Sequence, residues 1–401
     1  MSRLGVAFIG ASARADGLMG LLARRADACF VTGVYDVIAP KSKYLAEKHG
    51  RGEMAAYGSL QEALADKRAE VVFITTSDDA HAPAALAALK ARKHIFCEKP
   101  LALTVRDCDR IVRAARRSDR IGYVGMNLRH CPVHEKIHEV VAEGRLGRLM
   151  TIEANEYYYG GRTYFRRWNR LRRRGGGLWL TKCCHDLDML NWLAGAPPLR
   201  VYATTRLSHY KTRPDAGTHC RVCPIKDRCP DYYDVAHPAN PAEDALAILT
   251  EEATGEPRDI CLYNSDKDTF DNGIAVVEYA SDVRATYTLS VVTARSLRQC
   301  RISGTEASLE ADSEVGTVTV WRRHTGEKTV WDLRDQMNSM HGGADERILT
   351  DFFDCVRTGR PPRTSWAEGR MSVAVGLAAT QSGDTGRPVA VRPLPAPRLA
   401  T

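Results

Sequence analysis

The stretch Ile95-Phe96-Cys97-Glu98-Lys99-Pro100 ends an apolar run with a charged pair and a proline. An earlier apolar run at 71–74 is separated from it by an alanine-rich segment, 81–91, with the composition of a helix. Two apolar runs joined by a helix are typical of parallel strands in a βαβ unit. Ligands of open α/β sheets bind beyond the carboxyl ends of the strands, where Lys99 falls. The pattern therefore predicts a binding site here, the alternative being a surface lysine in an ordinary turn.

The first strand of the chain ends in a turn similar to a dinucleotide fingerprint. An apolar run at 4–9 is followed by Gly10-Ala11-Ser12-Ala13-Arg14-Ala15, and a helix is expected over 17–26. Gly10 occupies the first glycine position of the fingerprint, and alanine is an accepted variant at the third. Ser12 departs from the pattern, because the backbone at the second position must approach a pyrophosphate closely. The turn alone does not decide the cofactor.

Asp36 follows the second predicted strand, 29–35. An acidic residue at this strand tip accepts hydrogen bonds from a ribose 2′-hydroxyl and repels a 2′-phosphate, so NAD is favoured over NADP. The alternative is that Asp36 caps the helix predicted over 39–49. Strands and helices go on alternating as far as 122–125, which predicts a doubly wound parallel sheet of α/β class, a Rossmann domain over residues 1–126.

The order of elements changes in the second half of the chain. Strand-like runs now follow one another with turns between them, and they predict an α+β domain over 127–392 with a large open, mostly antiparallel sheet. The predicted strands are 149–158, 199–207, 274–279, 284–292, 315–321 and 389–391, and the predicted helices are 131–143, 184–193, 345–357 and 365–380. The proline-rich segment 393–401 is expected to be a loose tail.

His341-Gly342-Gly343-Ala344-Asp345 precedes one of these helices. A histidine beside a flexible glycine pair could reach the pocket. The favoured interpretation is that Asp345 is simply the N-cap of the helix.

Composition narrows the class of protein. The chain has 401 residues, 44% hydrophobic and 26% charged, as expected of a globular protein of two domains. Its net charge of +8 comes largely from arginines near 166–174 and not from a basic stripe with aromatics, so an anionic small molecule is a better expectation than nucleic acid. No apolar run is long enough to span a membrane, and a strand follows Met1 almost directly, which predicts a cytoplasmic protein without a signal peptide.

An insertion at about 209–261 contains a group of cysteines that suggests a metal site. Cys220 and Cys223 form a Cys-x₂-Cys pair and Cys229 follows, which is spacing typical of metal ligands. Because the segment lacks an apolar period, we expect a structural zinc to order it, with an iron–sulfur cluster as the alternative. The fourth ligand is left open between Cys261, His219 and His237. Unrelated buried thiols are the other interpretation of these cysteines.

Taken in order, these motifs resemble the glucose–fructose oxidoreductase/inositol dehydrogenase (Gfo/Idh/MocA) family. The resemblance rests on the turn at 10–15, Asp36, Glu98-Lys99-Pro100, Asn127 with Arg129, Gly176-Gly177 leading to His185, and Gly-Arg-Pro-Val at 386–389. It implies an NAD(P)-binding domain followed by an α/β domain whose open sheet is often used for oligomer contacts, hence a homo-oligomer, dimer or tetramer. It also implies hydride transfer between nicotinamide and a hydroxyl of a sugar, sugar derivative or cyclitol.

The resemblance also implies roles for individual residues. Lys99 is similar to the lysine that hydrogen-bonds the reacting hydroxyl, and His185 to the general acid/base, a role that suits imidazole near neutral pH. The family's usual aspartate four residues before that histidine is replaced here by Thr181. The expected substrate contacts are Arg129, Tyr158, Arg166, Trp168, Thr181, Lys182 and Asp188. The expected cofactor contacts are Gly10, Ser12, Ala13, Arg14, Asp36, Thr75, Thr76, His81, Glu98, Lys99 and Asn127.

Two other functions stay open. Some relatives retain NAD tightly and act as glycoside hydrolases that oxidise a hydroxyl, eliminate the aglycone, add water and return the hydride. Thr181 in place of a carboxylate favours this alternative mildly. The other is a non-catalytic NAD-binding regulatory protein, against which the presence of both Lys99 and His185 argues.

Overall fold

The computed structural model describes residues 3–238, 241–337 and 340–394, without the side chains of 241–243 and 340. The predicted loose tail at 393–401 falls, from residue 395 onward, outside the described residues. In the described ranges no helix combines the length and the apolarity needed to cross a membrane.

The first half of the chain alternates strands with helices. Its strands are β1 (Leu4–Ile9), β2 (Cys29–Tyr35), β3 (Ala55–Ala56), β4 (Ala69–Ile74), β5 (His94–Cys97) and β6 (Gly122–Val124). Its helices are α1 (Ala13–Ala23), α2 (Ala39–Gly50), α3 (Leu60–Ala65), α4 (His81–Lys90) and α5 (Val105–Ala115). The strands form one parallel sheet in the order β3-β2-β1-β4-β5-β6, which is the doubly wound Rossmann order and confirms the prediction. The order reverses between β1 and β4, so their carboxyl ends meet at the switch point.

The second half is built around a larger sheet. Its elements are α6 (Pro132–Ala142), β7 (Leu149–Tyr157), α7 (Arg172–Gly175), α8 (Leu178–Thr181), α9 (Cys184–Ala194), β8 (Pro198–Arg206), α10 (Pro241–Thr254), β9 (Asn272–Tyr279), β10 (Arg284–Ser290), β11 (Leu297–Gly304), β12 (Ala307–Asp312), β13 (Thr317–Arg322), β14 (Lys328–Asp332), α11 (Ala344–Thr358), α12 (Trp366–Thr385) and β15 (Val389–Ala390). Nine strands pair in the order β14-β13-β12-β11-β7-β10-β9-β8-β15. Only β7 and β10 run parallel, so the prediction of a mostly antiparallel sheet is confirmed.

The large sheet is covered on one face and open on the other. Along β9 and β10 buried residues alternate with exposed or half-exposed ones, the period expected of a half-buried strand. The open face carries large apolar side chains, among them Tyr202, 45% exposed, and Ile274, 48% exposed. The described chain therefore leaves an apolar surface in contact with solvent.

Helix α11, near the end of the chain, completes the core of the first sheet. Phe352 is fully buried and packs edge-on against Phe73, Phe96 and Tyr123, with ring centroids 5.5–5.8 Å apart. Edge-to-face contacts of this kind stabilise aromatic clusters beyond the burial of their area. A helix from the second half of the chain therefore forms part of the core of the first sheet, and the predicted domain boundary at 126 stays a prediction.

The insertion at 209–261 is more regular than its sequence suggested. It contains α10, and Leu246 of this helix is buried in the same apolar cluster as residues of α1 and α2. Asp259, buried, accepts hydrogen bonds from both the backbone and the guanidinium of Arg221 at 2.7–2.9 Å. The amide of Asn264 donates to the carbonyls of Arg213 and Ala216 at 3.0 and 2.8 Å. The expectation that hydrogen bonding could not easily order this segment does not hold, because polar side chains pair with its backbone.

Replacing Phe352 with alanine should lower the free energy of unfolding by about 3–5 kcal/mol, since it opens a cavity beside the rings of Phe73, Phe96 and Tyr123. Urea unfolding followed by circular dichroism measures the change. The exposed Asp354 on the same helix is the matched control, and Asp354→Ala should stay within about 0.5 kcal/mol of the wild type. A loss below about 1 kcal/mol for Phe352→Ala would contradict the view that α11 belongs to the core of the first sheet.

Candidate active site

The glycine turn after β1 has the geometry of a dinucleotide-binding turn. Gly10 has a φ of +103°, and a Cβ atom there would lie 2.5 Å from the backbone nitrogen of Thr76, so no other residue fits. Ser12 is the N-cap of α1: its hydroxyl accepts from the N–H of Ala15 at 3.2 Å and donates to the carbonyl of Thr75 at 2.8 Å. The helix therefore begins at Ala13, four residues before the predicted start. Ser12, which departs from the fingerprint, is therefore a capping residue whose hydrogen bond to Thr75 also links the end of β1 to the end of β4.

The residues around this turn fit a dinucleotide. The first backbone N–H groups of α1, at Ala13 and Arg14, have no partner within the helix and make its start an anion site suited to a pyrophosphate. Asp36 lies beside the turn, and its carboxylate accepts from the N–H of Ala11 at 2.8 Å and of Ile38 at 2.9 Å. Lys41 approaches the same carboxylate at 3.4 Å. The carboxylate of Asp36 therefore lies where a ribose hydroxyl is expected to bind, and the ammonium of Lys41 lies next to it.

Arg14 ties the turn to the C-terminal half through Asp345. Its guanidinium donates to Glu98 at 2.6 Å and to both oxygens of Asp345 at 2.8 and 2.9 Å. Asn127 and His341 also bond Asp345, at 3.0 and 2.7 Å. Burial raises the pKa of Asp345, but His341 and Arg14 lower it far more, so it lies well below its usual range. The interpretation of Asp345 as an N-cap was wrong, since Gly343 holds that position, and the segment does reach the site.

The loops that follow β1, β4 and β5 are joined by hydrogen bonds that involve Thr75, Thr76 and His81. The Thr75 hydroxyl donates to the carbonyl of Gly10 at 2.7 Å. The ring of His81 is buried, with Nδ1 2.7 Å from the carbonyl of Pro100 and Nε2 3.3 Å from that of Thr76. Burial lowers the pKa of His81. These predicted cofactor contacts thus bond the protein backbone and shape the loops, and their direct contact with a cofactor stays a prediction.

Lys99 and His185 come from opposite halves of the chain to one place. Lys99 follows β5, and its ammonium donates to the carbonyl of Thr181 at 3.0 Å. His185 lies in the first turn of α9, and its buried Nδ1 has no hydrogen-bond partner among the described residues. Burial, followed by the charge of Lys99, lowers the pKa of His185 well below its usual value. A neutral imidazole beside an ammonium can accept a hydroxyl proton while the ammonium stabilises the oxygen.

A buried cluster of charges supports the histidine. Lys182 binds Glu156 at 2.8 Å and lies 3.8 Å from the ring centroid of Tyr158. Arg298 bridges Glu156 at 2.5 Å and Asp186 at 3.0 Å. Burial opposes ionisation of Glu156, but Arg298 and Lys182 lower its pKa to about 2. The sequence did not reveal Glu156, Asp186 or Arg298 as part of the site, because Glu156 and Arg298 meet through the pairing of β7 with β11 and the packing of α9 brings Asp186 to them.

Three residues predicted to bind substrate are bonded to other groups of the protein. Arg129 and Asp188 form a buried two-point ion pair at 2.7 and 2.8 Å. Arg166 donates to the carbonyl of Ile260 at 3.0 Å and lies over the ring of Tyr233. These partners pair the three charged side chains within the protein, as burial requires of a charge. Direct contact of the three with a substrate stays a prediction, as does that of Trp168, half-buried at the start of a short turn.

The metal prediction is not supported by the geometry. Cys220, Cys223, Cys229 and Cys261 do line one small cavity, together with His219. Yet in the part of the chain that the structure describes, no three histidine, cysteine or carboxylate side chains are placed to hold a metal ion. The exposed His237 pairs with Asp234. The thiols are free and the residues as arranged do not fit a bound ion.

Comparison with known proteins places these features in a family. Two sequence-family models match the chain. The family model described as "Oxidoreductase family, NAD-binding Rossmann fold" matches residues 4–126, and the family model described as "Oxidoreductase family, C-terminal alpha/beta domain" matches residues 138–391. YteT of Bacillus subtilis is 26% identical over 97% of this chain and 98% of its own. Myo-inositol 2-dehydrogenase of Thermotoga maritima is 23% identical over 90% and 91%. The 1,5-anhydro-D-fructose reductase of Ensifer adhaerens is 31% identical over 51% and 60%.

Solved structures share the fold across nearly the whole chain. Levoglucosan dehydrogenase in complex with NADH and levoglucosan superposes with a TM-score of 0.76 at 17% identity, covering 97% of this chain and 100% of its own. GenD2 from gentamicin A biosynthesis, in complex with NAD, superposes with a TM-score of 0.70 at 19% identity, covering 98% and 97%. The two family models together span both sheets and the glycine turn. The chain belongs to the Gfo/Idh/MocA family of oxidoreductases and is an NAD-binding enzyme of that type.

Proposed function

We propose that the protein interconverts a hydroxyl and a carbonyl group on a sugar, sugar derivative or cyclitol ring by hydride transfer with NAD. The observation that carries the proposal is the approach of Lys99 and His185 at the end of β5, close enough for the lysine charge to lower the pKa of the histidine. Lys99 follows Glu98, which binds Arg14 of the glycine turn that fits the dinucleotide. Alcohol oxidation removes a hydride from carbon and a proton from oxygen. In this proposal NAD accepts the hydride and His185 accepts the proton.

In this proposal each residue has a separate task. Bound NAD supplies the hydride acceptor. Lys99, held by the carbonyl of Thr181, donates a second N–H to the substrate oxygen and stabilises its developing charge. His185 accepts the hydroxyl proton, since its lowered pKa keeps the ring unprotonated at neutral pH and so leaves a nitrogen lone pair free for the proton. In the reverse direction the imidazolium returns that proton to the oxygen.

The substrate class is inferred from the relatives and from the charges. Inositol, 1,5-anhydro-D-fructose and levoglucosan, named with the relatives above, are polyhydroxylated rings. Arg129 is bonded to Asp188 and Arg166 to the carbonyl of Ile260. Lys182 is paired with Glu156. An uncharged polyhydroxylated ring therefore suits the site better than the anionic substrate expected from the composition.

A redox-assisted glycoside hydrolase is the second candidate function. Thr181 takes the place of the carboxylate usual in dehydrogenases of this family, and Lys182, whose charge acts on His185, contacts the ring of Tyr158. In this cycle NAD would be regenerated at each turnover, so aglycone release without net NADH distinguishes it from the first candidate. A regulatory role without catalysis predicts neither product.

The cellular location and the oligomeric state of the protein are also proposals. We infer a cytoplasmic homo-oligomer, dimer or tetramer, in which the open face of the second sheet is covered by another copy. The exposed Tyr202 and Ile274 on that face support an apolar contact.

Substituting the two central residues should abolish turnover. With myo-inositol, levoglucosan and nitrophenyl glycosides as the substrate panel, Lys99→Met and His185→Ala should each lower kcat/KM by roughly 10²–10⁴-fold, the usual contribution of a positioned acid/base. NADH absorbance and aglycone release are the two readouts. The exposed Lys90 and His324 supply matched controls, Lys90→Met and His324→Ala, which should keep full activity. Near-normal turnover in both site variants would reject the assignment.

Cofactor choice should depend on the charge of Asp36. Asp36→Ser should shift the ratio of NAD to NADP affinity by at least roughly tenfold towards NADP, because placing like charges together costs several kcal/mol, and Lys41 remains to meet the phosphate. Fluorescence titration with NADH and NADPH measures both constants. Asp27→Ser, at an exposed carboxylate of the same domain, is the control. An unchanged ratio in Asp36→Ser would contradict the role given to this carboxylate.

Binding of zinc or of an iron–sulfur cluster at the cysteines remains the sequence hypothesis, and it would require the four thiols to move together around the cavity. Metal analysis of protein purified under reducing conditions decides it, with Cys220→Ser/Cys223→Ser as the comparison. About one equivalent, lost in the double variant, would support a structural metal. Less than about 0.2 equivalents would reject it.

A further inference from the structure

A site loop, residues 158–171, leads from the large sheet to the first half of the chain. It follows β7, and at its start the ring of Tyr158 lies 3.8 Å from the ammonium of Lys182. At its end it continues into α7, which packs against the short turn after β4, where Arg174 pairs with Asp79 at 3.6 Å. The loop therefore joins the charge cluster of the site to the first half of the chain.

Arginines at four-residue intervals bind the site loop to the cysteine insertion and to the segment that follows it. Arg162 pairs with Asp231 at 3.5 Å. Arg170, which is 5% exposed, pairs with Glu256 at 2.8 Å and with Asp266 at 2.6 Å. A third arginine lies midway between these two. Charged side chains thus attach both ends of the loop to the same part of the fold.

Arg166, the middle arginine, joins separate parts of the insertion. Its Nε donates to the carbonyl of Ile260 at 3.0 Å, and its Nη2 donates to the carbonyl of Asp231 at 3.3 Å. The same Nη2 lies 3.6 Å from the Sγ of Cys220, and the guanidinium lies 4.7 Å from the ring centroid of Tyr233. A planar guanidinium can serve several acceptors and an aromatic face at once, which an ammonium group does less well.

Apolar packing supports the same attachment. Phe165 is fully buried, and its ring centroid lies 4.5 Å from that of Tyr210 in the insertion. A Cβ atom at Gly161 would lie 2.3 Å from the Cβ of Val291, the residue that follows β10, so the loop also approaches the large sheet closely. The site loop is therefore packed between the large sheet and the insertion.

The insertion can hold the loop because it is itself fixed to both halves of the chain. Asp271, fully buried just before β9, accepts from the backbone N–H groups of Ser208, His209 and Tyr210 at 2.8, 2.7 and 3.0 Å. These bonds fix the start of the insertion to the second half. Helix α10 packs against α1 and α2 of the first half, where Leu246 is buried.

Tyr233 connects the middle arginine to α10. Its ring lies beside the guanidinium of Arg166, and its hydroxyl donates to the carboxylate of Asp244, a buried residue of α10. Arg258 pairs with Asp244 at 3.4 Å and with Glu251, also of α10, at 2.6 Å. Contacts therefore run without a gap from the site loop to a helix that packs on the first half of the chain.

We propose that Arg166 is a positioning residue, which holds the site loop against the insertion so that Trp168 of this loop stays at the substrate side of the site. The inference rests on the proposed hydride-transfer function and gives the insertion a task in it. Because the loop is ordered before the substrate arrives, binding of the substrate carries no cost of ordering it. Arg166 acts through the loop and not by contact with the substrate.

The first test requires no substrate. Hydrogen exchange of the holoenzyme with NAD is followed by mass spectrometry over peptides of residues 158–171. The turns of this loop are closed by hydrogen bonds between its own backbone groups, so exchange of these amides reports opening of the loop. Arg166→Met should raise their exchange rate roughly tenfold or more and leave β5 unchanged. Arg173→Met, at an exposed arginine two residues beyond the loop, is the matched control. Unchanged exchange in a folded Arg166→Met would overturn the proposal.

The second test is kinetic and uses the same substrate panel. Arg166→Met should raise KM roughly tenfold or more and change kcat less than about threefold, because the substrate must then order the loop itself. Affinity for NADH, measured by fluorescence titration, should stay within about twofold of the wild type. Arg173→Met should keep all three constants, and circular dichroism of each variant shows whether the fold is retained.

A pair of variants at Tyr233 tests the attachment from the side of the insertion. Phenylalanine keeps a ring beside the guanidinium of Arg166, and leucine does not. Tyr233→Leu should therefore raise both KM and the exchange rate of the site loop, while Tyr233→Phe should stay within about threefold of the wild type in both. If Arg166→Met does not fold, wild-type values in a folded Tyr233→Leu would overturn the proposal in its place.

The outcomes keep this proposal apart from the function on which it rests. If the wild type turns over no member of the panel, the proposed function fails, while hydrogen exchange still decides whether Arg166 holds the loop. If KM rises in Arg166→Met without faster exchange of the loop, the arginine contacts the substrate itself and the positioning role is overturned. A fall in kcat at unchanged KM would also overturn it, since that result marks an interaction made in the transition state.

Discussion

A hydrogen bond between Lys99 and the carbonyl of Thr181 joins the two halves of this chain over the site. The lysine ends a strand of the parallel sheet, and the threonine ends a short helix of the second half. The proposed chemistry needs this contact, because it holds the ammonium of Lys99 four residues from His185 along the chain. Burial and then the charge of Lys99 lower the pKa of His185.

Ion pairs within each half and one between the halves surround that contact. Arg14 binds Glu98 from its own half and Asp345 from α11, while Arg298 binds Glu156 and Asp186 beneath the histidine. Removing one partner of such a pair leaves a buried charge uncompensated, which is far more costly than losing a surface pair. The packing of α11 on the first sheet adds an apolar contact to the same junction. The site is therefore built between two cores that are held together by charge and by aromatic packing.

The cysteine insertion shows where inference from spacing fails. A Cys-x₂-Cys pair followed by a third cysteine predicted a metal, and the structure does gather all four thiols around one cavity. What spacing cannot encode is the distance between sulfur atoms, which the packing of the segment decides. Here Arg221 with Asp259, and Asn264 with neighbouring carbonyls, satisfy the backbone, and α10 buries Leu246 against the first domain. Its order comes from pairing between residues 30 to 51 positions apart.

The sequence by itself determined the alternation of strands and helices, the glycine turn, Asp36, and the candidate pair Lys99 and His185. These features have local signals, because hydrophobic period, turn residues and strand ends are set by neighbours along the chain. Only the tertiary structure decided which charges meet. Asp345 reaches Arg14 across 331 positions, and Arg129, expected to bind substrate, is instead bound to Asp188. The physical reason is that a buried charge takes whichever opposite charge the fold brings within contact, and that partner has no fixed spacing in sequence.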